Sequence, residues 1–188
     1  MRRRRFQGIA AAAALLAVAA SNPARAQDDR VEADPDADNA VARGKYVMYA
    51  AGCVACHTAD RDDAVPLAGG RALETPFGIF HTPNITPDSE TGIGGWSETD
   101  FLDAVQHGLS PDGSPYYPAF PYASYAGMRD VDARDLFAYL KSLAPVRNEV
   151  PDHELRFPYS IRTGLWAWRL AYFEAAAFES DPGKSEAW

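Results

Sequence analysis

The chain has 188 residues, enough for one domain with an appendage, and carries 18 basic against 26 acidic residues. A net charge of −8 makes nucleic acid and anionic membrane surfaces poor partners, while a protein with a basic docking patch remains compatible. Only two cysteines are present, so any site built on thiols is small.

The first residues read as an export signal. Arg2 to Arg5 form a basic n-region, Gly8 to Ala20 an apolar run, and Ala24-Arg25-Ala26 a small-x-small cleavage site. The run is shorter than the roughly 20 residues a bilayer span needs. Residues 1–26 are therefore expected to be a secretory signal peptide, with Gln27 as the mature N-terminus and the periplasm as destination. Arg3-Arg4-Arg5-Phe6 is only faintly like a twin-arginine signal, and an unfolded, Sec-type route is the expected one. Cleavage leaves 13 basic against 26 acidic residues. Residues 27–38, with Asp28, Asp29, Glu32, Asp34, Asp36 and Asp38, read as an acidic, disordered linker.

A helix is expected from Asp38 or Asn39, either a suitable N-cap, to about Ala51, with Gly44 as a point of close backbone approach. It runs into Cys53-Val54-Ala55-Cys56-His57. That spacing is the attachment site of a c-type haem, in which two thiols form thioethers and the histidine ligates iron. A zinc site would need further ligands at metal spacing, and the chain has no third cysteine. A thioredoxin-like dithiol would need a βαβ setting, which the sequence lacks. One covalent haem c on Cys53 and Cys56, with His57 as proximal iron ligand, is the expected cofactor.

Residues 58–95 carry Pro66, Pro76, Pro83 and Pro87 among many glycines and read as a long loop; such loops usually serve a site. Ser97-Glu98-Thr99-Asp100 reads as a cap and first turn of a short helix to His107, stopped by Gly108. After a second proline- and aromatic-rich stretch, 109–129, a helix is expected over Val131–Leu143 with Asp130 as its cap. No alternation typical of strands is evident. An all-α chain with long irregular loops is the expected class.

This order of elements resembles a class I cytochrome c. In that family the first and last helices cross at a glycine–aromatic contact, which here implies Gly44 and Tyr139. Gly69-Gly70-Arg71, Thr75-Pro76-Phe77-Gly78, Pro83-Asn84-Ile85-Thr86-Pro87-Asp88, Thr91-Gly92-Ile93-Gly94 and Tyr117-Pro118-Ala119 narrow the likeness. They resemble the first haem domain of multihaem cytochrome c subunits of membrane-bound alcohol, gluconate, sorbitol or aldehyde dehydrogenases. The resemblance implies three to four helices around one haem over residues 39–147, and an apolar C-terminal extension over 148–188. It also implies that Arg71 and Trp96 meet the haem propionates, with His81 and Asn84 at the haem edge. His107 is read as structural and His153 as exposed.

The chain departs from that family at two places. It carries one haem motif where relatives carry two or three, and Asp181 to Trp188 resembles the lead-in to a second haem module. Where relatives have Met-Pro-Tyr it has Phe120-Pro121-Tyr122, so Met128 is the expected distal ligand and Met48 a core residue. The stretch Leu165–Phe173 has one charge, Arg169, among four large aromatic residues. A helix over about Ser160–Phe178 is expected there, sequestered from water by the cytochrome core, a partner or a membrane interface.

Two functions follow as expectations. The favoured one is a periplasmic monohaem cytochrome that carries single electrons from a dehydrogenase toward quinone or a terminal oxidase. Peripheral membrane association and a second cytochrome domain or oxidase as partner are compatible with it. The other is a haem enzyme whose open sixth position binds a small oxidant or sulfur compound, an option kept by the missing methionine at position 120.

Overall fold

The computed structural model describes residues 35–175 and Gly183. The expected signal peptide, most of the expected acidic linker and the end of the expected C-terminal helix lie outside the described residues. The first helix, α1 (Pro35–Ala50), begins a few residues earlier than Asp38. Its first residue is a proline, which fits a helix start because the missing N–H has no intrahelical partner there.

Helix α1 packs across α5 (Asp130–Ser142), and this crossing is the frame of the domain. The approach is close enough to require glycine at position 44. A Cβ there would lie 1.8 Å from the Asp135 carbonyl oxygen and 2.8 Å from Tyr139 Cβ. The expected Gly44–Tyr139 contact is thus present. Arg43 clamps the same crossing, donating from both Nε and a terminal nitrogen (2.8 Å) to the buried Asp135 carboxylate. A bidentate guanidinium is the partner a buried carboxylate requires.

Between these helices lie Met48, Leu67, Ile93, Phe101, Val105, Leu136 and Leu140, the buried core. Met48 is buried as expected. Helix α3 (Glu98–Leu102) carries the capping box read from the sequence: Asp100 N–H donates to Ser97 Oγ, and Ser97 N–H donates to the Asp100 carboxylate. It continues as a π-helical turn, Asp103–His107, that ends at a left-handed Gly108. Helix α5 starts one residue earlier than expected, with Arg129 rather than Asp130 at the cap position.

The all-α expectation is amended by a small antiparallel sheet. Strands β1 (Ala72–Thr75) and β2 (Gly78–His81) form a hairpin, and β3 (Glu154–Leu155) pairs with the outer side of β2 in the order β1-β2-β3. These strands are too short to show a clear alternation, and β3 takes its structure from a partner some 75 positions away. Two further helices are short: α2 (Cys53–Cys56) and α4 (Tyr122–Tyr125), the latter inside the stretch read as irregular.

After β3 the chain turns into α6 (Gly164–Tyr172), shorter than the helix expected over 160–178. Its inner side docks on the domain: Leu165 is buried, and Trp168 and Phe173 meet Tyr122 edge-on at 6.5 and 5.0 Å. The outer side is not sequestered, since Leu170 is 92 % exposed and Trp166 and Tyr172 are exposed as well. Among the described residues no helix is long and apolar enough to cross a membrane.

Candidate haem site

A cavity of about 420 Å³ opens between α1, α2, α5 and the two long loops, with mainly apolar walls. Cys53, Cys56 and His57 line it together with Phe120, Pro121, Tyr125 and Met128. The first three are local. A left-handed Gly52 ends the approach from α1, and one turn of α2 then sets both thiols beside the imidazole. The His57 N–H donates to the Cys53 carbonyl at 2.9 Å, closing that turn. Burial pushes the Cys53 thiol up to about 11, so it is a neutral thiol rather than a reactive thiolate at neutral pH.

His57 is oriented by a long-range contact. Its Nδ1 lies 2.8 Å from the Pro83 carbonyl, to which it donates, leaving Nε2 as the nitrogen with a free lone pair. A histidine that ligates metal characteristically gives its other ring nitrogen to such an acceptor. Burial lowers its pKa below the ordinary histidine value, which also keeps the ligating nitrogen unprotonated. Gly69 makes this possible. It has φ 74°, and a Cβ there would lie 2.5 Å from the Pro83 carbonyl carbon. Gly69 N–H in turn donates to the His57 carbonyl at 2.8 Å, tying the loop to the motif.

In the same lining, Met128 is held through its backbone. Its N–H donates to the Tyr125 carbonyl (2.8 Å), and its carbonyl accepts from Gln106 Nε2 at 2.8 Å. Tyr125 Oη donates to the Ala51 carbonyl at 2.8 Å, linking this wall to the end of α1. Two thiols one turn apart, an imidazole with a fixed tautomer, a thioether in the same cavity and apolar walls are a donor set that fits a haem. Cys53, Cys56, His57 and Met128 are the residues that would hold it.

The family model for cytochrome c matches residues 41–144. The chain belongs to the cytochrome c family. Its relatives include a subunit of the nicotinate dehydrogenase of Pseudomonas putida, 43 % identical over 78 % of this chain and 12 % of that protein. A diheme c-type cytochrome of Cereibacter sphaeroides is 44 % identical over 68 % of the chain and 44 % of its own length. The gluconate 2-dehydrogenase cytochrome c subunit of Pantoea cypripedii is 44 % identical over 80 % of the chain and 35 % of its own length. The chain thus spans less than half the length of each of these relatives.

Within this cytochrome the remaining expected site residues divide. Trp96 and His81 line the cavity. His81 has its Nε2 3.1 Å from the Glu154 carboxylate, so one of its ring nitrogens is already engaged. Arg71 and Asn84 are not among the lining residues. The Arg71 guanidinium lies 3.9 Å from Asp60, and its backbone N–H donates to Thr82 Oγ1. Asn84 is buried as the hub of its loop, donating to Thr91 Oγ1 and the Val146 carbonyl and accepting from the Thr86 N–H and hydroxyl. It shapes the loop that carries Pro83 rather than facing the cavity.

The structure also brings in residues that the sequence pattern assigned to no site. Tyr116, Tyr117, Asp152, His153 and Arg162 all line the cavity. His153, expected among exposed charges, is solvent-accessible but sits at the cavity mouth, edge-on to Phe80 (5.3 Å) and Tyr117 (5.8 Å). No short-range pattern announces these residues, because they come from separate segments: pairing of β3 with β2 delivers Asp152 and His153, Tyr116 and Tyr117 come from the loop after Gly108, and Arg162 follows β3.

Proposed function

We propose that this chain is a one-electron carrier that holds a single covalent haem and works in the periplasm beside a dehydrogenase. The observation that carries the reading is the convergence of Cys53, Cys56, His57 and Met128 on one apolar cavity. When bound, the haem supplies a reversible Fe(II)/Fe(III) couple. The chain's residues anchor it through two thioethers, hold the His57 tautomer through Pro83, and exclude water with Ile93, Phe101, Val105 and Leu136. Met128 as distal ligand would favour Fe(II) and leave no open position for a substrate. That argues for a carrier over the open-site haem enzyme.

The partner follows from the relatives, two of which are named as dehydrogenase subunits, one of them a cytochrome c subunit. In this reading the chain receives electrons from such a dehydrogenase and passes them toward quinone or an oxidase, directly or through a further haem domain. The basic, apolar N-terminal run supports export, and a c-type attachment suits an exported protein. Trp96 and His81 are proposed to meet the haem edge, Trp96 through its indole N–H.

The test is mass spectrometry of protein from periplasmic material together with carbon monoxide titration. The expected result is one acid-stable haem per chain, an N-terminus at Gln27, and a reduced spectrum that carbon monoxide leaves unchanged. A mass without haem, or rapid carbon monoxide binding, overturns the carrier.

A further inference from the structure

We propose that Arg162 and His153, with Tyr116, form the binding site for the haem carboxylates, so that the segment beyond the matched cytochrome domain completes the cofactor site. The inference rests on the haem reading above. Two carboxylates must leave bulk water with the ring edge, and each needs N–H or O–H donors. Among the described residues, Arg162 is the one lysine or arginine that lines the cavity. Most other lining donors are already committed. Tyr125 Oη is given to Ala51, Tyr117 Oη to the Tyr159 carbonyl (3.1 Å), and His57 Nδ1 to Pro83. His81 Nε2 faces Glu154.

Besides the Trp96 indole, proposed above to meet the haem edge, Arg162 and His153 share one aromatic platform. The Arg162 guanidinium lies 5.2 Å from the centre of the Tyr117 ring, and one of its nitrogens donates to the Pro115 carbonyl at 3.0 Å. That leaves several of its N–H groups unassigned, and among the described residues no carboxylate lies within salt-bridge distance of it. His153 is edge-on to the same Tyr117 ring. Its Nδ1 accepts from the His81 backbone N–H at 3.2 Å, which places the ring proton on Nε2 and makes that nitrogen a donor. Burial, Arg162 and His81 together lower its pKa against the opposing Asp152, so it stays in this neutral form. Tyr116 is held as a neutral hydroxyl, its pKa pushed up to about 12 by burial and by Asp112. By contrast Arg71, assigned this role from resemblance, is outside the cavity lining and lies toward Asp60.

The experiment uses the holoprotein. In the reduced wild type, through-space NMR contacts are expected from the haem propionate methylenes to Arg162 and His153. Contacts to Arg71 with none to either residue would overturn the proposal without needing a variant. Arg162→Gln removes a cation beside a carboxylate, and the uncompensated negative charge favours Fe(III). The expected result is a lower midpoint potential, by about tenfold in the oxidised-to-reduced ratio (roughly 59 mV for one electron). Arg162→Lys restores most of that shift, which a purely structural arginine would not do. His153→Gln, which keeps an N–H donor, is expected to shift the potential less than His153→Ala. Protein that carries covalent haem but shows an unchanged potential in Arg162→Gln overturns this inference alone. Protein with no covalent haem overturns the carrier reading and this inference with it.

Discussion

The two sides of the haem cavity are built by different means. The thiol and imidazole side is assembled from one short segment, with Gly52, Cys53, Cys56 and His57 fixed by a single helical turn. Much of the remaining lining comes from the loop 115–128, the segment 150–153 that leads into β3, and Arg162. Those pieces are far apart in sequence and meet only when α5 and the sheet are in place. A wall made locally depends on the helix that carries it, whereas a wall made of three segments depends on every contact that joins them. Damage to the frame should therefore remove the whole site, and damage to the tail should open one side of it.

The largest effect is expected at the frame. Gly44→Val places a side chain where even a Cβ lies 1.8 Å from the Asp135 carbonyl, and backbone cannot yield to it. The α1–α5 crossing then has to part, at about 3 kcal/mol or more. Periplasmic holoprotein should fall to near background on a haem-stained gel. Normal yield would mean that the two helices do not cross here.

Next in size is removal of the tail. Ending the chain after Val150 deletes β3, His153, Arg162 and α6, and with them Leu165 and the bonds to Phe77, Pro115 and His107. The expected cost is roughly 3 kcal/mol or more, from one buried leucine and several hydrogen bonds. Haem attachment at Cys53 and Cys56 is expected to persist, with a lowered melting temperature and a cavity that admits small ligands. Thermal melting and carbon monoxide titration check both halves. An unchanged melting temperature would return the tail to the role of a mere appendage.

The contrast between the walls also explains what could be read from the chain. The Cys53–His57 motif, the Ser97–Asp100 capping box and the Gly44–Tyr139 contact were legible, because each is set by short-range chemistry or a recurrent helix crossing. The sheet was not, since Glu154 and Leu155 are strand only through pairing with Gly78 and Ile79. Asn84 was placed at the haem edge for its position in a shared motif, yet all four of its bonds hold its own loop and the Val146 strap. Gln106 gave no signal either, although it anchors the Met128 carbonyl. A glutamine inside a helix reads as surface until its partner arrives from another segment.

A smaller effect on stability, though a clear one in spectra, is expected at the distal wall. Met128→Ala removes the thioether while leaving the backbone bonds to Tyr125 and Gln106. The oxidised wild type should show the weak near-infrared sulfur-to-iron band, and the variant should lack it and have a lower potential. If the variant keeps the band, Met128 is a packing residue and the carrier reading loses its distal ligand.

The smallest effect separates the two sides of α6. Leu165 is buried against the domain, and Leu170, little more than one turn further on, is 92 % exposed. Leu165→Ala should cost about 2 to 3 kcal/mol, the lower part of the range for a buried leucine, because α6 lies at the edge of the fold. Leu170→Ala removes no buried surface and should stay within about 0.5 kcal/mol. Denaturant melts of the two variants, run beside the wild type, measure the difference directly. Equal costs would mean that something covers the outer side of α6 in solution. Two negligible costs would mean that the helix is undocked, and the tail deletion would then lose most of its predicted effect. The expected asymmetry instead makes Leu165 one of the contacts that hold α6 on the domain, beside Trp168 and Arg169, and leaves the Trp166, Leu170 and Tyr172 side accessible.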